Sequence, residues 1–113
     1  KDQDILNLLA GQKSKIILCG HTHTPRCVQL STGQMIINPG SVGLQAYSDD
    51  EPCKHSMENF SPKASYAILE QSKNTHWDVS FLKVGYDVNS AVNAAHKQNR
   101  DDWGHFLSTG RAV

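Results

Sequence analysis

The stretch that most constrains this chain is Gly20-His21-Thr22-His23-Thr24-Pro25, which directly follows the run Lys15-Ile16-Ile17-Leu18-Cys19. A run so short and unalternated reads as a strand buried on both faces rather than as a helix. A glycine and two imidazoles at its end then place polar chemistry at the mouth of that strand. Fifteen residues after His23 comes a second irregular loop, Asn38-Pro39-Gly40-Ser41, again behind an apolar run, Met35-Ile36-Ile37. Pro39 cannot donate to a ladder, and Gly40 and Gly43 permit positive φ. Two polar loops that each end an apolar strand mark one edge of a sheet, where ligands tend to sit in folds built of sheet and helix.

The remaining composition narrows the class. The chain has 113 residues, enough for one domain with a modest core. Eleven basic residues balance eleven acidic ones, so nothing argues for a nucleic-acid surface. No apolar run approaches the ~20 residues of a membrane span, and no signal-peptide pattern opens the chain. Cys19, Cys27 and Cys53 form an odd set without CxxC spacing, which fits free thiols in a reducing, cytoplasmic setting. Among six histidines only His21 and His23 lie close together. The first residue is Lys1, in what reads as mid-helix, so the expectation is a portion of a longer protein.

Periodicity assigns the other elements. Ile5, Leu6, Leu8 and Leu9 predict a helix over 2–10, with Asp2 or Asp4 as cap and Gly11 as stop. Residues 26–30 and 35–37 predict a hairpin around Ser31-Thr32-Gly33-Gln34. Residues 44–62 read as a long polar loop centred on Asp49-Asp50-Glu51-Pro52, the kind that is functional or mobile. Residues 64–71 and 75–84 predict a second hairpin, with Ser72-Lys73-Asn74 between and Tyr66, Trp77 and Phe81 as sheet core. Asp87 caps a helix to about Asn99, with Val88, Ala91, Val92 and Ala95 on one face. A last helix runs from Asp101 or Asp102 through Leu107, stops near Gly110 and docks by Trp103 and Phe106.

In an extended loop His21 and His23 point the same way and can approach one metal ion, or two held about 3.5–4 Å apart. Imidazole suits Zn, Mn, Fe or Ni alike. An isolated HxH is more often two polar loop residues than a ligand pair; the preceding strand and the Asn-Pro-Gly-Ser loop raise the metal reading. Asn38, Pro39 and Gly40 read as a turn that braces the histidine loop, with Ser41 or nearby N–H groups as phosphate contacts. Arg26 reads as a solvated strand-start charge, and His55 as a weak candidate in the long loop.

With Gly20-His21-Thr22-His23-Thr24-Pro25 and Asn38-Pro39-Gly40-Ser41 in this order and spacing, the chain resembles the calcineurin-like metallophosphoesterase superfamily. Within it, the small branch of YfcE-type phosphodiesterases and dinucleotide polyphosphate hydrolases is the most similar. The match spans Lys15 to about Gly43. The resemblance implies an α/β fold, part of a two-sheet, four-layer αββα sandwich with C-terminal helices. It implies a metal-dependent phosphoesterase that hydrolyses a phosphodiester, a phosphomonoester or a nucleotide. It implies two divalent metal ions, Mn first and Fe, Zn or Ni as alternatives, with His21 ligating one and His23 the other. The family's DxH, GDxxD and GNH motifs are absent from these residues, so residues 1–113 correspond to the C-terminal portion of such a domain. The missing N-terminal half would supply the other ligands, and this portion alone is expected to be inactive. The partners implied are a small phosphoester or nucleotide substrate, with no membrane and no specific nucleic acid. The alternative is a non-catalytic protein-binding scaffold on the same fold, which has no need to keep both histidines.

Overall fold

Three β-branched or long apolar residues in a row, twice, build the central ladder. In the computed structural model, which describes residues 1–73 and 76–113, β1 (Ile16–Leu18) pairs in parallel with β3 (Met35–Asn38). Strand β2 (Arg26–Gln29) pairs antiparallel with the other side of β3, so the order is β1-β3-β2. The predicted hairpin around residues 31–34 is present, closed by Leu30 N–H donating to the Gln34 carbonyl at 2.8 Å. The middle strand carries the core, and Ile37 is fully buried. Strand β1 is not buried on both faces as its sequence predicts. Among the described residues it pairs on one side only, and Leu18 is 65% exposed.

The first helix, α1 (Asp2–Leu8), is shorter than its pattern predicts, and neither Asp2 nor Asp4 caps it. Lys1 holds the cap position, while the Asp2 carboxylate accepts from Ser31 Oγ at 2.5 Å and so ties the helix to the β2–β3 turn.

The sequence misses one hairpin. Residues 44–62 are not an irregular loop: β4 (Ala46–Asp49) and β5 (His55–Glu58) pair antiparallel, with Asp49 opposite His55 and Tyr47 opposite Met57. The acidic run forms the exposed tip of this hairpin. The third pair, β6 (Ala64–Gln71) and β7 (Trp77–Val84), follows prediction. Asn74 and the predicted strand start at Thr75 lie outside the described residues.

Alternation along β6 gives its hairpin two different faces. Ala67 and Leu69 look across a cleft of ≈ 390 Å³ at Leu18, Ile37 and Pro39. The opposite face presents Tyr66, Ile68, Leu82 and Val84, each more than a third exposed. Neither Tyr66 on this face nor Phe81, opposite Ala67 on the other, is the sheet core that its residue type predicts: both are 41% exposed. The Cα radius of gyration is 16.5 Å, against about 13 Å for a compact domain of this length. The described chain is thus a mixed α/β structure of three small sheets and three helices, flattened to 19 Å in its thinnest direction. Among the described residues no helix is long and apolar enough to cross a membrane.

Helices α2 (Val88–Lys97) and α3 (Asp101–Thr109) pack on each other, with Ala95, Phe106 and Leu107 buried. Gly110 ends α3 in the left-handed conformation, and its carbonyl accepts from Phe60 N–H at 2.8 Å, which docks the helix pair beside the β4–β5 hairpin. Trp103 borders a cleft between the two helices with Ala91 and Ala94 of α2. It is 41% exposed and lies under the Arg100 guanidinium, 4.4 Å from the ring centroid.

Asp87 caps α2 as predicted, accepting from Ser90 N–H at 3.2 Å and from Ser90 Oγ at 2.5 Å. Both bonds favour the carboxylate, the hydroxyl most, and hold Asp87 below its ordinary value of 3.8. A depressed folded value adds stability above the unfolded value, which is lost as the pH falls through the folded one. Asp87→Ala should therefore lower the thermal midpoint at neutral pH, and circular-dichroism melts should show the deficit fading once the pH drops below 3.8.

Candidate metal centre

Parallel pairing decides where the two loops meet. Because β1 and β3 run the same way, residues 19–25 and 39–45 leave the sheet at the same edge. The ladder extends one step into the first loop, with Cys19 N–H donating to the Ile37 carbonyl at 3.0 Å. Beyond it the backbone is not extended. His21 has φ 79° and His23 φ 62°, both left-handed. That conformation costs an ordinary residue roughly 1–2 kcal/mol, so the surroundings must hold it.

Five side chains do so. Asn38 Nδ2 donates to Thr22 Oγ1 at 2.9 Å and to the Gly20 carbonyl at 3.3 Å. Tyr47 Oη donates to the His21 carbonyl at 3.0 Å. Asn59 Nδ2 donates to the His23 carbonyl at 2.6 Å and to Gln45 Oε1 at 3.2 Å. Gln45, almost wholly buried, donates in turn to the Ser41 carbonyl at 2.7 Å. The fifth is His23 itself, whose Nδ1 lies 2.9 Å from the Leu44 carbonyl oxygen.

That last bond fixes the chemistry of the ring. A carbonyl oxygen only accepts, so Nδ1 carries the proton and Nε2 of the neutral ring keeps its lone pair. This is the arrangement by which metal-binding histidines are oriented. The Tyr47 ring packs edge-on against the same imidazole, with centroids 4.8 Å apart, and lies 6.3 Å from the His21 ring. His21 is exposed and His23 half-buried.

The Asn38-Pro39-Gly40-Ser41 loop braces, as its composition predicts. Asn38 Oδ1 accepts from Gly40 N–H at 3.0 Å, and Ser41 Oγ accepts from Leu44 N–H at 2.9 Å. Ser41 is thereby engaged within its own turn. Gly40 has φ 89°, and a Cβ there would sit 2.8 Å from Ser65 Cβ and 2.9 Å from Pro25 Cγ. Glycine is what lets the two loops and β6 close on one another. Arg26, exposed at the start of β2, shares a cleft of ≈ 190 Å³ with Cys19, Gly20, Thr22 and Asn38.

His55 comes to this region although its sequence position gave little reason to expect it. Its ring lies 6.0 Å from Tyr47, edge-on. Asp49, opposite it on β4, is held below the ordinary aspartate value, first by the Glu51 N–H and also by the nearby His55 and His21 rings. Sequence reasoning missed Tyr47 and Asn59 altogether. The only signal for them was their place in a polar stretch after the Asn-Pro-Gly-Ser loop. His96 and His105 lie in the C-terminal helices, and His96 pairs with Asp101 at 2.6 Å.

Among the described residues no group of three or more His, Cys, Asp or Glu side chains converges on one point suited to a metal ion. Two imidazoles fall short of the three protein ligands that a catalytic ion takes. The described residues alone therefore do not make up a metal site. A scan against protein-family models finds no match for the chain, and a search of curated proteins finds no significant similarity.

Gly40→Ala should force a left-handed alanine against Ser65 and Pro25. We expect it to cost about 1–3 kcal/mol in denaturant unfolding. The same change should shift the amide resonances of His21 to Pro25 more than those of α2.

Proposed function

We propose that this chain is the C-terminal portion of a dinuclear-metal phosphoesterase. The observation that carries the reading is the His23 ring, anchored through Nδ1 on the Leu44 carbonyl and left with Nε2 free, in a loop gripped from several sides. A protein-binding scaffold has no use for an imidazole held in this way. His21 and His23 serve as ligands to two divalent ions, Mn first, and the remaining ligands come from polypeptide preceding Lys1.

The finer architecture belongs to the same proposal. The β1–β3–β2 sheet and the β6–β7 hairpin face each other across the Leu18–Leu69 cleft, as two sheets of an αββα sandwich do. The exposed Leu18 side chain and the bare Tyr66–Val84 face are then surfaces that the preceding polypeptide covers.

Ions bound at such a centre supply a nucleophile from water near neutral pH and neutralise charge on the phosphoryl oxygens. This chain's own residues do the holding. Asn38, Tyr47 and Asn59 keep the loop in its left-handed form, so little reorganisation is needed when ligands close around an ion. Leu44 sets the tautomer of His23. The histidines act as ligands, not as bases.

The test is hydrolysis of bis-p-nitrophenyl phosphate by the full-length protein with and without Mn²⁺. Mn-dependent turnover is expected in the wild type, and His21→Ala and His23→Ala should each lower it at least about 100-fold while keeping the circular-dichroism spectrum. Undiminished rates in both variants would contradict the reading.

A further inference from the structure

We propose that Gln45 is a positioning residue for His23: one buried amide fixes both the carbonyl that meets the His23 ring and the side chain that holds the His23 backbone, while His21 depends on a separate support from Tyr47. That His23 is a metal ligand rests on the phosphoesterase reading; that Gln45 orients its ring does not.

Gln45 is 1% exposed, and its side chain uses both N–H groups and its oxygen. Nε2 donates to the Ser41 carbonyl at 2.7 Å and to the Val42 carbonyl at 3.3 Å, and Oε1 accepts from Asn59 Nδ2 at 3.2 Å. Carbonyl oxygens only accept, so the nitrogen must face them and the oxygen must face Asn59. The amide therefore sits in one orientation. Its first two bonds close the turn from Ser41 to Gln45, which Ser41 Oγ closes again by accepting from Leu44 N–H at 2.9 Å. Leu44 is held between these bonds, and its carbonyl oxygen is thereby kept 2.9 Å from His23 Nδ1. On the other side, Asn59 Nδ2 also donates to the His23 carbonyl at 2.6 Å, and Asn59 N–H donates to the Gln45 carbonyl at 3.0 Å. The ring and the backbone of His23 thus hang on the same residue.

Filling space does not call for an amide at this point, since methionine is about as long and carries no strong hydrogen-bonding group. What the amide adds is direction: a buried polar group with all its bonds made favours one arrangement and penalises every other. His21 is supported differently. Its carbonyl accepts from Tyr47 Oη at 3.0 Å, a bond that passes through neither Gln45 nor Asn59. The two histidines can therefore be disturbed one at a time.

The experiment uses the full-length protein labelled with ¹⁵N-histidine, stripped of metal and read by long-range ¹H–¹⁵N correlation above the histidine titration range. In Gln45→Met the His23 ring nitrogens should move toward an averaged tautomer while the His21 signals stay in place. Tyr47→Phe, which keeps the ring, should move the His21 signals and leave His23 protonated on Nδ1. Asn59→Ala, at a half-buried position, should move the His23 signals and spare those of His21, which keeps the test decisive if Gln45→Met fails to fold. With Mn²⁺ titrated against turnover of bis-p-nitrophenyl phosphate, Gln45→Met should need about tenfold more Mn²⁺ to reach half its maximal rate. A merely smaller folded fraction would leave that concentration unchanged. An unchanged His23 tautomer in folded Gln45→Met, or His23 signals unmoved in Asn59→Ala, would overturn the proposal, as would His21 and His23 signals that always move together. Absence of Mn-dependent turnover in the wild type would remove the phosphoesterase reading and leave the ring signals to decide the role of Gln45.

Discussion

A loop with two left-handed histidines persists only if other parts of the chain hold it. Here Asn38 reaches it from the end of β3, Tyr47 from β4, and Asn59 from just past β5. Each satisfies a backbone carbonyl or the Thr22 hydroxyl, groups that the irregular loop leaves without ladder partners. The grip sets the ring positions, and through the Leu44 carbonyl it also sets the His23 tautomer. Without the β4–β5 hairpin the histidine loop would lose the bonds from Tyr47 and Asn59 to the His21 and His23 carbonyls.

The rest of the fold serves that arrangement with little core to spare. Among the described residues seven apolar ones are buried, three of them alanines, so packing alone cannot freeze a strained loop. Hydrogen bonds through Gln45 and Asn59 do more of that work than side-chain burial. Helices α2 and α3 contribute indirectly. They seat against the hairpin through the Gly110 carbonyl and through Ala112 N–H on Glu58, at 2.9 Å, and so back the strand that leads to Asn59.

The sequence anticipated elements whose signal is local. The β2–β3 and β6–β7 hairpins, the Asp87 cap and the Gly110 stop each announce themselves through turn composition, alternation or a capping residue. It also placed the two loops at one sheet edge. The β4–β5 hairpin stayed hidden because Ala46–Asp49 and His55–Glu58 are short and polar, and their pairing is decided by what Tyr47 packs against. The left-handed histidines were equally hard to foresee, since that conformation is uncommon for any non-glycine residue even though histidine is enriched there. Tyr66 and Phe81 misled for the opposite reason: aromatic type argues for burial, yet both stay 41% exposed. Long-range hydrogen bonds, not propensity, built the candidate site.

The claim at the centre of this account is that His23 is held by its Nδ1 proton with Nε2 open. Long-range ¹H–¹⁵N correlation of the imidazole rings, recorded above the histidine titration range, reads this directly. The account predicts a single His23 tautomer protonated on Nδ1, with the Nε2 resonance moving on addition of Zn²⁺. A ring protonated on Nε2, or one averaging freely between tautomers and indifferent to the ion, would contradict it.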